Sequence, residues 1–143
     1  MAASEVLYLR HADADHSPEL VSIDPLVEQG LLTLARPESP AEEALFVQFA
    51  AKIDDGEAMS LALCVSHGYA LATDDRKARR ISASVAKPIP LLATSELLFH
   101  WFQSNNISPD RIREVLGAVE FRARFRPWPG YPPQEWWSCM LSI

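Results

Sequence analysis

The stretch that most constrains this chain runs from residue 54 to 80, DDGEAMSLALCVSHGYALATDDRKARR. Ala58, Leu61, Ala62 and Val65 recur at the i, i+3, i+4, i+7 spacing of one helix face, which predicts a helix over 57–67. His67-Gly68 closes it, because glycine enters the left-handed C-cap conformation without a Cβ clash. YALA (69–72) then reads as a short strand, and 75–82 as a short polar helix. A helix feeding a strand that feeds another helix has few stable packings. The helices must cover the faces of a parallel sheet and run antiparallel to its strands.

The rest of the chain fits that alternation. LLTL (31–34) reads as a brief strand. SPAEEALFVQFAAKI opens a helix with Ser39 as N-cap and Pro40 at the first helical position. PIPLLA (88–93) is a strand with its prolines near the start. SELLFHWFQSN (95–105) is a helix capped by Ser95, and ISPDRIREVLGAVEFRARF another, capped by Ser108 with Pro109 behind it. The expectation is an α/β fold with a short parallel sheet flanked by helices. An α/β domain over 1–106 is followed by a helix and a Pro/Trp-rich extension over 107–143.

Composition excludes several classes. With 48% hydrophobic and 22% charged residues, the 143-residue chain is an ordinary globular sequence with enough length for a core. No apolar run approaches the roughly 18 residues that span a bilayer, so no membrane role is expected. MAASEVLYLRHADADH carries no signal-peptide pattern, and Cys64 and Cys139 lack metal-ligand spacing, so a cytoplasmic location is expected. The net charge of −6 argues against a broadly basic nucleic-acid surface. Local basic runs do occur at RKARR (76–80) and among Arg111, Arg113, Arg122, Arg124 and Arg126. They could face phosphates, although solvated helix faces are the ordinary outcome.

Two acidic knots flank the 57–67 helix. Eleven helical residues rise roughly 16 Å, and about five strand residues climb back as far. Glu57 and the Thr73-Asp74-Asp75 turn should therefore meet at the carboxyl edge of the sheet, where open α/β sheets bind ligands. Clustered carboxylates repel unless a divalent cation with a preference for oxygen, Mg²⁺ or Mn²⁺, joins them, and such an ion can activate water at a phosphodiester. Capping is the competing explanation. Asp54 and Glu57 have capping-box spacing, and Thr73 or Asp74 can cap the next helix.

The segment GEAMSLALCVSHGYALATDDRKAR resembles the later half of a PIN domain, with G-E-A, an Ala/Leu-rich helix, a glycine, an apolar strand, T-D-D and a basic helix in that order. PIN domains are small three-layer α/β ribonuclease modules found among toxin–antitoxin toxins and RNA-processing nucleases. The likeness is specific over about 27 residues and extends loosely from about 5 to 104. It implies a Mg²⁺/Mn²⁺-dependent endoribonuclease in which Glu57, Asp75 and Asp74 hold the metal. Thr73 would orient a ligand or water, Arg76 and Lys77 would contact RNA, and Glu5 would stand for an earlier acid that starts a helix at SEVLYLR. It also implies an antitoxin protein as partner, and the aromatic C-terminal segment, outside the likeness, offers contact with a second copy. The family's opening strand, D-[TS]-[NS]-x-[LV], has no counterpart before Glu5. The expectation is thus an N-terminally shortened member, so that either the native start lies upstream or the chain is a poor nuclease. The alternative function is a non-catalytic, degenerate PIN-like module that binds a partner protein or RNA.

Other candidates are weaker. HADADH (11–16) departs from H-x-H-x-D-H at Asp13 and reads as a polar loop. His67 reads as a helix C-terminal residue and His100 as a packed histidine. No G-x-G-x-x-G or Walker loop calls for a nucleotide cofactor. Trp128, Tyr131, Trp136 and Trp137 suit either a partner interface or a segment folded back on the protein.

Overall fold

Residues 7–11, 16–131 and 133–142 are described by the structure, a computed structural model. In chain order the elements are β1 (Leu7–Leu9), β2 (Glu19–Val21), α1 (Asp24–Glu28), α2 (Pro40–Ala50), α3 (Asp55–His67), β3 (Leu71–Ala72), α4 (Arg76–Ser82), β4 (Leu91–Leu92), α5 (Thr94–Ser104), α6 (Pro109–Arg122) and α7 (Gln134–Ser142). Mixed α/β is therefore the class. Two compact units divide the described chain: residues 35–97, and the flanking segments up to Leu34 and from Leu98. The boundary expected between 106 and 107 lies in the turn between α5 and α6, within the flanking unit.

In the 35–97 unit, α2 starts where its sequence says it should. Ser39 Oγ accepts from Glu42 N at 3.3 Å, and Glu42 Oε2 accepts from Ser39 N at 3.2 Å, a complete capping box ahead of Pro40. Chain reversal after Ala50 lays α3 against α2. Ala58, Leu61 and Ala62 are fully buried there among Phe49 and Ile53, since alanines let the two backbones approach. Gly68 ends α3 at φ 73°, with its N–H donating to Cys64 O at 2.9 Å. β3 pairs in parallel with β4, Leu71 opposite Leu91 and Ala72 opposite Leu92, and α4 forms the connection. Leu71, Ala78 and Ile89 complete the core, so this is one small β–α–β layer backed by α3.

The flanking unit has its own core of Phe102, Ile112, Leu116 and Trp137. Ser108 Oγ caps α6 by accepting from Arg111 N at 3.4 Å, with Pro109 behind it. The aromatic tail is not an open extension, because 134–142 forms α7 and Trp137 is only 1% exposed. Its indole Nε1–H donates to Glu120 Oε1 at 2.9 Å, and Arg126 Nε donates to the same oxygen at 3.0 Å. The Arg126 hydrogen bond, and then the Trp137 bond, hold the Glu120 carboxyl below its ordinary range against the opposing effect of burial.

Several expectations are corrected. Where the SEVLYLR helix is expected, Leu7–Leu9 is a strand paired antiparallel with β2, Tyr8 opposite Leu20. LLTL forms no strand, and its Leu31, Leu32 and Leu34 are exposed. Ser95 lies inside α5 rather than at its cap, and is buried. The expected parallel sheet is a single pair of two-residue strands among the described residues.

Candidate functional site

The carboxyl ends of β3 and β4 bring two turns together. Thr73 N donates to Leu92 O at 3.0 Å, which extends the ladder by one rung and places Asp74 and Asp75 beside the start of α5. Both Asp74 carboxylate oxygens accept from Thr94 N, at 3.2 and 3.4 Å. Glu96 Oε2 reaches back to accept from Ala93 N at 2.7 Å. Asp75 is the N-cap of α4, its Oδ1 accepting from Ala78 N at 2.6 Å. Thr73 supports that cap, with Oγ1 accepting from Asp75 N at 3.1 Å. The edge thus gathers three carboxylates, and each of them satisfies an orphan N–H at a helix start.

Capping accounts for Asp74 and Asp75, with the helices exchanged. Asp75, not Thr73 or Asp74, caps α4, and Asp74 serves α5, 20 residues further on. Glu57 is half-buried in the first turn of α3, and the expected Asp54/Glu57 box is not formed, because Asp54 makes no side-chain cap bond. Glu5 lies outside the described residues. Among the described residues, no group of three or more His, Cys, Asp or Glu is placed to hold a metal ion. Arg76 and Lys77 open α4 and are exposed, while Arg79 Nη1 turns inward to donate to Thr73 O at 2.9 Å.

The amino edge of the same unit carries a pair that sequence reading missed. Glu42 is buried at 6% exposure. Its Oε2 accepts from Glu38 N at 2.6 Å and closes the capping box, while Oε1 lies 2.8 Å from His67 Nε2 at the end of α3. His67 stacks on Tyr69, ring centroids 5.1 Å apart and planes 12° from parallel. The S-x-x-E spacing of Ser39 and Glu42 was a readable sign of the box, but nothing local pairs Glu42 with a residue 25 positions away. His100, expected to pack, is exposed. Burial pushes the Cys64 thiol up, so it is a core group rather than a nucleophile.

The Glu38 N–H first, and then the charge of His67, hold the Glu42 carboxyl below its ordinary range. A depressed folded-state pKa means that this carboxylate stabilises the fold above the ordinary carboxylate range, and the contribution is lost as pH falls through the folded value. The Tm of Glu42→Gln is expected to lie below that of the parent at neutral pH. The gap should close on acidification, as thermal scans from neutral to acid pH will show.

The chain matches no protein-family model, no curated protein and no solved structure.

Proposed function

We propose that this chain is a PIN-like RNA-binding module that does not cleave its ligand. The observation that carries the proposal is the division of labour around β3 and β4. Asp74 and Asp75, two of the acids that would serve catalysis, are engaged as helix caps, whereas α4 (RKARRIS) presents Arg76, Lys77 and Arg80 to solvent. Among the described residues no group of three or more His, Cys, Asp or Glu is placed to hold Mg²⁺ or Mn²⁺. Binding rests on the α4 cations meeting the phosphate backbone, with the net charge of −6 confining that binding to a local face.

One observation favours the cleaving alternative, a PIN-type Mg²⁺/Mn²⁺-dependent endoribonuclease. Asp74, Asp75 and Glu96 share the edge at which parallel strands end, where such sheets bind ligands. A single experiment separates the two readings. The protein is incubated with mixed single-stranded RNA in Mn²⁺, Mg²⁺ or EDTA, beside Asp75→Asn and Glu57→Gln. The expected result is no metal-dependent cleavage above the variants, with RNA retained in EDTA. Joint replacement of Arg76 and Lys77 by alanine should weaken retention and flatten the log–log salt dependence by about 0.7 for each phosphate that is no longer neutralised. Cleavage that needs both metal and the two carboxylates would establish the nuclease instead.

A further inference from the structure

The connection from β3 to β4 carries a row of cations from one edge of the strand pair to the other. α4 runs back from the carboxyl edge, its seven residues covering about 10 Å, and Lys87 lies beyond it at the amino edge. There Lys87 Nζ lies beside the Gly68 turn, so close that a Cβ on Gly68 would come within 3.7 Å of it. Lys87 has no ion-pair partner among the described residues. On either side of Gly68 stand His67 and Tyr69, stacked on each other. His67 is held from behind by the buried Glu42 carboxylate, and Tyr69 is 56% exposed. An aromatic ring fixed on one face and open to solvent, beside an ammonium, has the chemistry that receives a nucleobase and its phosphate.

We infer that His67, Tyr69 and Lys87 form a base-stacking platform for single-stranded RNA at the amino edge of the 35–97 unit. The inference rests on RNA being the ligand, as proposed above, but it concerns the opposite edge from Asp74 and Asp75. Its electrostatics are distinctive. Glu38 and Glu43 are exposed near the buried Glu42, so the surroundings give phosphate little beyond Lys87. Binding at this edge is driven by stacking on Tyr69, and binding along α4 by charge.

That difference supplies the test. Binding of a fluorescent adenine-only ribooligomer is measured in EDTA across a salt series, for the parent, Tyr69→Ala, Tyr69→Phe, Lys87→Ala and Arg76→Ala/Lys77→Ala. Free adenosine monophosphate is added as competitor in a further arm. Tyr69→Ala should bind about tenfold more weakly with an unchanged salt slope, and Tyr69→Phe should bind like the parent. Lys87→Ala should lower the slope by about 0.7. Tyr69 is exposed, so an unchanged circular dichroism spectrum is expected for its variants. Competition by the free nucleotide at strand-like affinity would identify the ligand as a nucleotide on the same platform. If the parent binds RNA and Tyr69→Ala binds it equally well, the platform is overturned while RNA binding stands. If the parent binds neither strand nor nucleotide, the platform and the RNA reading both fall, and cleavage in Mn²⁺ is then judged separately.

Discussion

Replacing Trp137 by alanine should destabilise the flanking unit by about 3–5 kcal/mol, the range for deleting a buried aromatic side chain. The indole is 1% exposed, packs with Phe102, Ile112 and Leu116, and meets Phe125 edge-on at 5.7 Å. Its removal leaves a cavity, and Glu120 Oε1 loses the indole N–H as a donor. Trp137→Phe keeps most of the volume but loses the N–H, and should cost about 1–2 kcal/mol. Urea titrations will measure both, with the midpoint falling in that order. Since domain stabilities are about 5–15 kcal/mol, the alanine variant should be conspicuously marginal. Deleting 127–143 removes the same side chain together with all of α7, and should lower the melting temperature at least as far. Survival of the truncated chain with an unchanged melting temperature would show that Trp137 does not organise this core.

The parts of the fold that were legible are those fixed within a few residues. Ser39-Pro40 and Ser108-Pro109 start α2 and α6, and His67-Gly68 ends α3, because a cap needs only its neighbours. The pairing of Tyr8 with Leu20 depends on a second strand 12 positions away, so the apolar run at 6–9 could not declare itself strand rather than helix. The tail is a similar case. Its prolines end at Pro133, and the helix that follows is stabilised by Trp137 docking on α6 rather than by local propensity. At the candidate site, topology was readable and partnership was not. S-x-x-E at Ser39 forms a capping box, whereas D-x-x-E at Asp54 does not. The same spacing permits a box without requiring one. Asp74 bonds across to Thr94 because β3 and β4 end side by side, a neighbour relation that no spacing within the TDD turn encodes.

Leu61→Ala is expected to cost the 35–97 unit about 2–5 kcal/mol, since the side chain is fully buried between α2 and α3. Its value lies in comparison with Glu57→Gln, one turn earlier on the same helix. Glu57 is half-buried and makes no cap bond with Asp54, so an isosteric amide there should change stability by less than about 0.5 kcal/mol. Asp75→Asn is the matching control at the other knot. Asparagine caps helices about as well as aspartate, so the bond to Ala78 N survives while the charge is removed, whereas Asp75→Ala should cost about 1 kcal/mol. Urea midpoints for the four variants should therefore order as Leu61→Ala lowest, then Asp75→Ala, with Asp75→Asn and Glu57→Gln near the parent. RNA retention should follow the folded fraction across the whole series if Asp75 only caps α4 and the Glu57 charge plays no part in binding. An isosteric variant that keeps its stability but changes its handling of RNA would instead place charge chemistry at the carboxyl edge. A loss confined to Leu61→Ala and Asp75→Ala, in step with their folded fractions, would mean that Asp75 matters through the helix it caps.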